Sequence, residues 1–247
     1  TTTRFRCSTS LPSAMAPLSR SAIASANPAP SSSTSSRSNR RATIRYPAFF
    51  DEVRRLVVHD PLAEFLGAAE GGCIDYGYAD AVKLAGHSCP TVAAAYWMSL
   101  KALEALYPKA LPERGGIRVD FRADRLSGVT GVIASVVTLL TGATHDTGFK
   151  GLAGQFDRRK RMYFLADIAD EMRFTRLDSG AAVDVRADLQ RVPFAARTPE
   201  LMQKCLDGSA SAAEAVEFRE GWQARVRALL LEHGDDPEVF QVRPVAR

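Results

Sequence analysis

The segment 128–143 constrains the fold of this 247-residue chain more than any other feature, because almost every side chain in it is apolar or small. Its Val, Ile and Leu residues recur with Gly, Ala and Ser between them. This pattern predicts a helix buried on nearly all sides, with a strand as the alternative because of the β-branched content. The segment is too short, and too often interrupted by Thr, Ser and Gly, to cross a membrane. It therefore belongs to the core of a globular domain.

The loop Gly86-His87-Ser88-Cys89-Pro90 is the strongest sign of a functional site. Proline lacks a backbone N–H and has a φ angle suited to a helix, so Pro90 is predicted to begin a helix, with Cys89 as its N-cap. A sulfur at that position faces the positive end of the helix dipole, which favours the thiolate that binds metals or attacks electrophiles. The alternative interpretation is an unreactive buried cysteine beside a structural histidine.

The positive charge of the chain is concentrated at its N-terminus. The net charge is +4, but residues 1–50 contain seven arginines and no lysine or acidic residue, so residues 51–247 carry a net charge of −3. Binding to nucleic acid depends on a net positive field over the folded part. A nucleic-acid-binding domain is therefore excluded.

Residues 1–45 combine these arginines with a serine run, scattered proline and alanine, and few large apolar residues. Such a composition predicts either a disordered tail or an organelle transit peptide. We accordingly expect a folded domain over residues 46–247. The expected location is cytoplasmic or, if the tail is a transit peptide, organellar, and no membrane span is expected.

The rest of the chain mixes helices with a few short strands, without a regular alternation of the two. Ser211, with Glu214 three residues later, is a capping box that predicts the start of the last helix. This mixture is typical of the α+β class, and we expect a single compact domain in which a small mixed sheet packs against several helices. The other predicted elements are helical segments over 47–66, 79–84, 91–107 and from 198 onward, and strands over 73–78, 117–121, 162–168, 172–177 and 182–186.

These motifs resemble those of the FmdE-like domains, a family named after formylmethanofuran dehydrogenase, over residues 76–164. In that family the first motif usually is Gly-His-x-Cys-Pro-Gly, and its His and Cys are implicated in binding a metal ion, commonly zinc, on a small α+β core. Here Thr91 replaces the last glycine. The resemblance implies that His87 and Cys89 are metal ligands. The family name records an association with an archaeal molybdenum or tungsten enzyme, and no defined reaction.

A second motif of that family usually carries a cysteine in a Thr-Gly-Cys-Thr context, followed by a loop with glycine and lysine. This chain has Ala143 at that place, so the third sulfur ligand is absent. His145, in a polar loop just after the buried helix, is the candidate third ligand, with a solvent-exposed loop histidine as the alternative. Asp146 is a candidate for ligating the ion or orienting a histidine, and Lys150 for contacting a substrate.

The leading hypothesis is a domain that holds a divalent metal ion, zinc or else iron or nickel, through His87, Cys89 and His145. An open coordination position would take water or a small-molecule ligand, as in a small metalloenzyme. One alternative is an accessory module that delivers metal to a redox enzyme or docks on it, and a homo-oligomer is a further expected association. Another alternative is a metal-free thiolate enzyme, with Cys89 as nucleophile and His87 or His145 as its base.

Overall fold

The computed structural model describes residues 45–246. The tail predicted over residues 1–45 lies outside this range except for Arg45, so the tail stays a prediction. From Pro47 onward the described chain forms one compact unit. None of the helices in the described residues is long and apolar enough to cross a membrane.

The helices and strands of residues 45–246 are, in chain order, β1 (Leu56–His59), α1 (Pro61–Phe65), β2 (Cys73–Tyr76), α2 (Tyr78–Ala85), α3 (Pro90–Leu106), β3 (Ile117–Phe121), α4 (Thr130–Thr141), β4 (Met162–Tyr163), β5 (Met172–Arg176), β6 (Ala182–Ala187), α5 (Thr198–Asp207), α6 (Ala212–Arg227) and β7 (Phe240–Pro244). Short 3₁₀ turns lie at Ala48–Glu52, Glu70–Gly72 and Leu189–Arg191. A turn of π-helix at Ala228–Glu232 continues α6.

The strands form two sheets. β1 and β2 pair antiparallel, with Leu56 opposite Tyr76. The larger sheet has the order β4-β3-β5-β6-β7, in which β3 and β4 run parallel and the other neighbours run antiparallel. This small mixed sheet, packed with several helices, confirms the predicted α+β class and the strand over 117–121.

Helix α3 is the centre of the core. Of its 17 residues, 13 are buried. The helix packs against α4 and against β5, β6 and β7. Ala93, Ala95 and Ala102 are fully buried, and their small side chains let neighbouring elements approach the helix closely.

The apolar segment 128–143 forms helix α4, which confirms the predicted helix. Its second half is buried as expected, with Val136 fully enclosed. Its first half is not, because Val129 is 52% exposed, and Gly131 and Ser135 are exposed as well. The prediction of burial on nearly all sides was therefore wrong at this end, where no element of the described domain covers the helix.

Two further expectations from local pattern fail. Residues 56–59 have helical spacing in the sequence but form β1, since pairing with β2 satisfies their backbone groups. Strand β7 was not predicted. It depends on pairing with β6, and a partner strand far along the chain leaves no local signal.

A buried ion cluster joins distant parts of the domain. Asp60 is 3% exposed and accepts hydrogen bonds from Arg114 Nη1 at 2.8 Å and from Arg158 Nη2 at 2.6 Å. The same carboxylate caps α1 by accepting the backbone N–H of Leu62. Arg158 also donates to the Arg114 carbonyl. Because Arg158 belongs to the loop after α4, the cluster fixes that loop against α1.

These contacts determine the charge state of Asp60. Burial alone would raise the pKa of Asp60, but the hydrogen bond from Arg114 and the charge of Arg158 outweigh it, and the net shift is downward. A carboxyl with a lower pKa in the folded state stabilises the fold above its unfolded pKa of about 3.9. This contribution is lost as the pH falls through the folded pKa.

Asp60→Asn keeps the side-chain size and the cap acceptor but removes the charge between the two arginines. We expect it to lower the free energy of unfolding by about 3–5 kcal/mol at pH 7, because largely buried arginines lose their counter-charge. Urea denaturation measures the loss, and the difference from the unaltered chain should shrink below about pH 4.

The matched control is Asp75→Asn. The Asp75 carboxylate pairs with Arg55 at 2.8 Å, but its side chain is 51% exposed. Its removal should cost less than about 1 kcal/mol. Similar losses for the two variants would contradict the role assigned to burial.

Candidate functional site before helix α3

Residues 86–90 join α2 to α3 as the sequence predicts. Gly86 ends α2 in the left-handed conformation (φ 75°), which glycine adopts without strain. Pro90 is the first residue of α3, and Cys89 precedes it as an extended N-cap (φ −150°, ψ 167°). The Cys89 Sγ accepts a hydrogen bond from the backbone N–H of Val92 at 3.4 Å. The helix start and the N-cap position of Cys89 are thus confirmed.

His87 is exposed, and a backbone contact orients its ring. Its Nδ1 lies 2.9 Å from the carbonyl oxygen of Ala85. A carbonyl oxygen only accepts hydrogen bonds, so Nδ1 carries the proton in this contact. In the neutral ring Nε2 then has the free lone pair, and it is the atom that can bind a metal ion or accept a proton.

Helix α6 fixes the loop through Ser88. The Ser88 carbonyl accepts hydrogen bonds from Trp222 Nε1 at 3.0 Å and from Gln223 Nε2 at 3.2 Å. The Ser88 hydroxyl donates to Gln223 Oε1 at 3.0 Å. Since its proton is then committed, the Tyr78 hydroxyl, 3.0 Å away, is the donor to Ser88 Oγ. The residues on either side of Ser88 are therefore held by α2 and α6 together.

Tyr78 remains a hydrogen-bond donor far above neutral pH. Its side chain is fully buried, and burial raises its pKa well above the ordinary value, partly opposed by the contact with Ser88. The proton that this contact with Ser88 requires is therefore retained across the physiological pH range.

His87 lies between two open cavities. One has a volume of about 470 Å³ and lies between α2 and the start of α4, and the other has a volume of about 330 Å³ and lies beside α6. Both volumes are typical of small-molecule sites, which span about 300–1,000 Å³. The exposed first half of α4 forms one side of the larger cavity, through Arg125, Gly128, Gly131 and Ser135.

His145 lies in the loop after the C-terminal end of α4. Its Nδ1 is 2.9 Å from Asp146 Oδ2, and its ring packs against Phe164 with 5.7 Å between the ring centroids. The backbone N–H of Lys160 donates to the His145 carbonyl. The cavity beside His87 is lined by the first half of α4. The two histidines are therefore associated with different ends of this helix.

The predicted ligands do not form a complete set. Among residues 45–246, no group of three or more His, Cys, Asp or Glu side chains is placed to hold a metal ion. His87 and Cys89 are neighbours across one residue, but His145 does not join them in such a group. Asp146 and Lys150 are exposed in the loop of His145. The functional roles of these residues stay predictions.

The fold and the loop together define an α+β domain with a His-x-Cys motif at the start of its central helix. Residues 84–236 match the family described as "FmdE, Molybdenum formylmethanofuran dehydrogenase operon". This range covers more than half of the chain and includes the loop, α3, α4 and α6, so the chain belongs to the FmdE family. The resemblance found in the sequence is thereby confirmed. A comparison with curated proteins gave no match.

Three side chains that hold the loop were not predicted as site residues. Trp222 was expected only as an apolar contact of the last helix, and Gln223 and Tyr78 belong to no motif. Their role depends on contacts between distant segments, since 135 residues separate Ser88 from Gln223. A tryptophan beside a glutamine on the packed face of a charged helix was the one available signal.

Gln223→Ala removes two of the partners of Ser88. We expect the free energy of unfolding to fall by about 1–2 kcal/mol, because a polar group and its carbonyl neighbour lose their hydrogen bonds. Amide hydrogen exchange in residues 86–89 should become about tenfold faster, since local opening is then easier.

Gln203→Ala is the matched control for this variant. Gln203 is exposed on α5, and its replacement should change stability by less than about 0.5 kcal/mol. Unchanged exchange at residues 86–89 in Gln223→Ala would show that α6 does not hold the loop.

Proposed function

We propose that the domain binds a divalent metal ion through His87 and Cys89. The observation that carries this proposal is the contact of His87 Nδ1 with the Ala85 carbonyl at 2.9 Å. Histidines that ligate metals almost always donate their other ring N–H to a carbonyl, a carboxylate or water, which orients the ring and raises the basicity of the ligating nitrogen. His87 has this arrangement, and Nε2 is left for the ion beside two cavities.

Cys89 supplies the second ligand. Its sulfur accepts the N–H of Val92, and it faces the N-terminal end of a 17-residue helix. Both interactions favour the thiolate, which is the form of cysteine that binds metals. A thiolate beside an imidazole suits zinc, with iron(II) and nickel(II) as the alternatives.

Two protein ligands leave the coordination of a metal ion incomplete. His145 is the proposed third ligand, with Asp146, already paired to its ring at 2.9 Å, as the orienting partner. An open position would take water or a small molecule, on which the ion acts as a Lewis acid. Lys150, exposed in the same loop, is the proposed contact for an anionic group on that molecule.

Cys89→Ser tests the thiolate ligand. Serine keeps a cap oxygen, so α3 should persist with a loss of less than about 1 kcal/mol. Serine is a much weaker ligand for borderline metals, so we expect the metal content to fall by about tenfold or more. Elemental analysis of the chain, purified without chelator and then offered Zn(II), measures it.

Cys205→Ser is the matched control, because Cys205 is also a free cysteine, in helix α5. It should leave the metal content unchanged. Full metal content in Cys89→Ser would contradict the proposal. A chain that takes up neither Zn(II) nor Fe(II) nor Ni(II) would overturn it as well, and would favour the metal-free thiolate hypothesis.

His145→Ala tests the third ligand separately. If His145 ligates, its loop moves on binding, and its removal should lower the zinc affinity about 10–100-fold in competition with a chromophoric chelator. The matched control is His233→Ala, whose ring also pairs with an aspartate, Asp236, at 3.2 Å. Unchanged affinity in His145→Ala would remove His145 from the ligand set and leave His87 and Cys89 in place.

A further inference from the structure

The smaller of the two cavities beside His87 has the features of a binding site for an organic molecule. Its volume is about 330 Å³, and its lining contains no acidic residue. The six lining residues are His87, Ser88, Phe218, Arg219, Trp222 and Gln223. The loop with His87 and Ser88 forms one side of the cavity, and α6 forms the other.

The α6 side presents aromatic rings in fixed positions. Trp222 stacks on Phe194 with 5.0 Å between centroids and lies 5.7 Å from the ring of Phe218. Its indole N–H donates to the Ser88 carbonyl at 3.0 Å, so the ring cannot rotate without breaking that bond. Rigid aromatic surfaces of this kind bind flat apolar groups at a low cost in conformational entropy.

Arg219 adds a positive charge to this apolar surface. It is exposed, it lines the cavity, and it forms neither an ion pair nor a side-chain hydrogen bond within residues 45–246. Many arginines of the domain have acidic partners, as Arg197 has in Glu217. A guanidinium without such a partner is free to bind a carboxylate through two parallel hydrogen bonds.

We propose that this cavity binds a small aromatic carboxylate. The flat ring packs against Trp222 and Phe218, the carboxylate pairs with Arg219, and the molecule lies next to His87. A phosphate group suits the cavity less well, because Arg219 is its one arginine or lysine and a doubly charged group requires more donors. This proposal does not depend on the metal, since none of these contacts passes through Cys89.

The experiment uses 2-naphthoate and its uncharged analogue 2-naphthamide as probes, titrated calorimetrically into the full chain after treatment with EDTA. We expect 2-naphthoate to bind about tenfold more tightly than 2-naphthamide, because only the acid pairs with Arg219. In Arg219→Met the affinity for 2-naphthoate should fall to that of 2-naphthamide. The affinity for 2-naphthamide should not change, because the aromatic contacts remain.

Arg125→Met is the matched control. Arg125 is another exposed arginine without an ion pair in the described residues, and it lines the larger cavity on the other side of His87. It should leave the affinity for 2-naphthoate unchanged. Equal affinity for the two probes, or a loss in Arg125→Met that matches the loss in Arg219→Met, would overturn the proposal.

Cys89→Ser separates this proposal from the metal site. The variant should bind 2-naphthoate like the unaltered chain, whether or not it has lost the metal. Loss of 2-naphthoate binding in Cys89→Ser, with binding kept in Arg219→Met, would show that the carboxylate is held at a metal ion and would overturn the role of Arg219.

Discussion

Burial of helix α3 is the constraint on which the rest of the structure depends. A shift of one residue along the chain would rotate each side chain by about 100° and would expose groups that are now fully enclosed, such as Tyr96 and Leu100. The start of α3 is therefore fixed by its packing against α4 and the larger sheet as well as by Pro90. Cys89 is the N-cap because the whole core specifies where the helix begins.

Charged groups impose a second constraint, at the other end of α4. Asp60 connects the end of β1 with Arg114, which precedes β3, and with Arg158, which belongs to the loop after α4. Buried ion pairs contribute little net stability when both partners are counted, but the loss of one partner is costly, so they favour one arrangement over others. The cluster therefore specifies the path of the chain around His145 more than it stabilises the fold.

Local signals in the sequence predicted the elements whose ends carry a cap or a breaker. Cys89 with Pro90, and Ser211 with Glu214, both mark helix starts that the structure confirms. Features that depend on distant partners were missed, namely β7 on β6, the open first half of α4, and the support of Ser88 by α6. The loop was thus identifiable from its residues, whereas the groups that hold it were not, because hydrogen bonds between distant segments leave no periodic pattern.

The contact between Trp222 and the loop has a practical consequence, since it makes the loop observable by spectroscopy. The chain contains two tryptophans, and Trp97 is 3% exposed within the core. Trp222 is partly exposed and donates its indole N–H to the Ser88 carbonyl. A displacement of the loop changes the hydrogen bonding and polarity around Trp222, while the surroundings of Trp97 stay as they are. The intrinsic fluorescence of the unlabelled protein therefore reports on the residues beside His87.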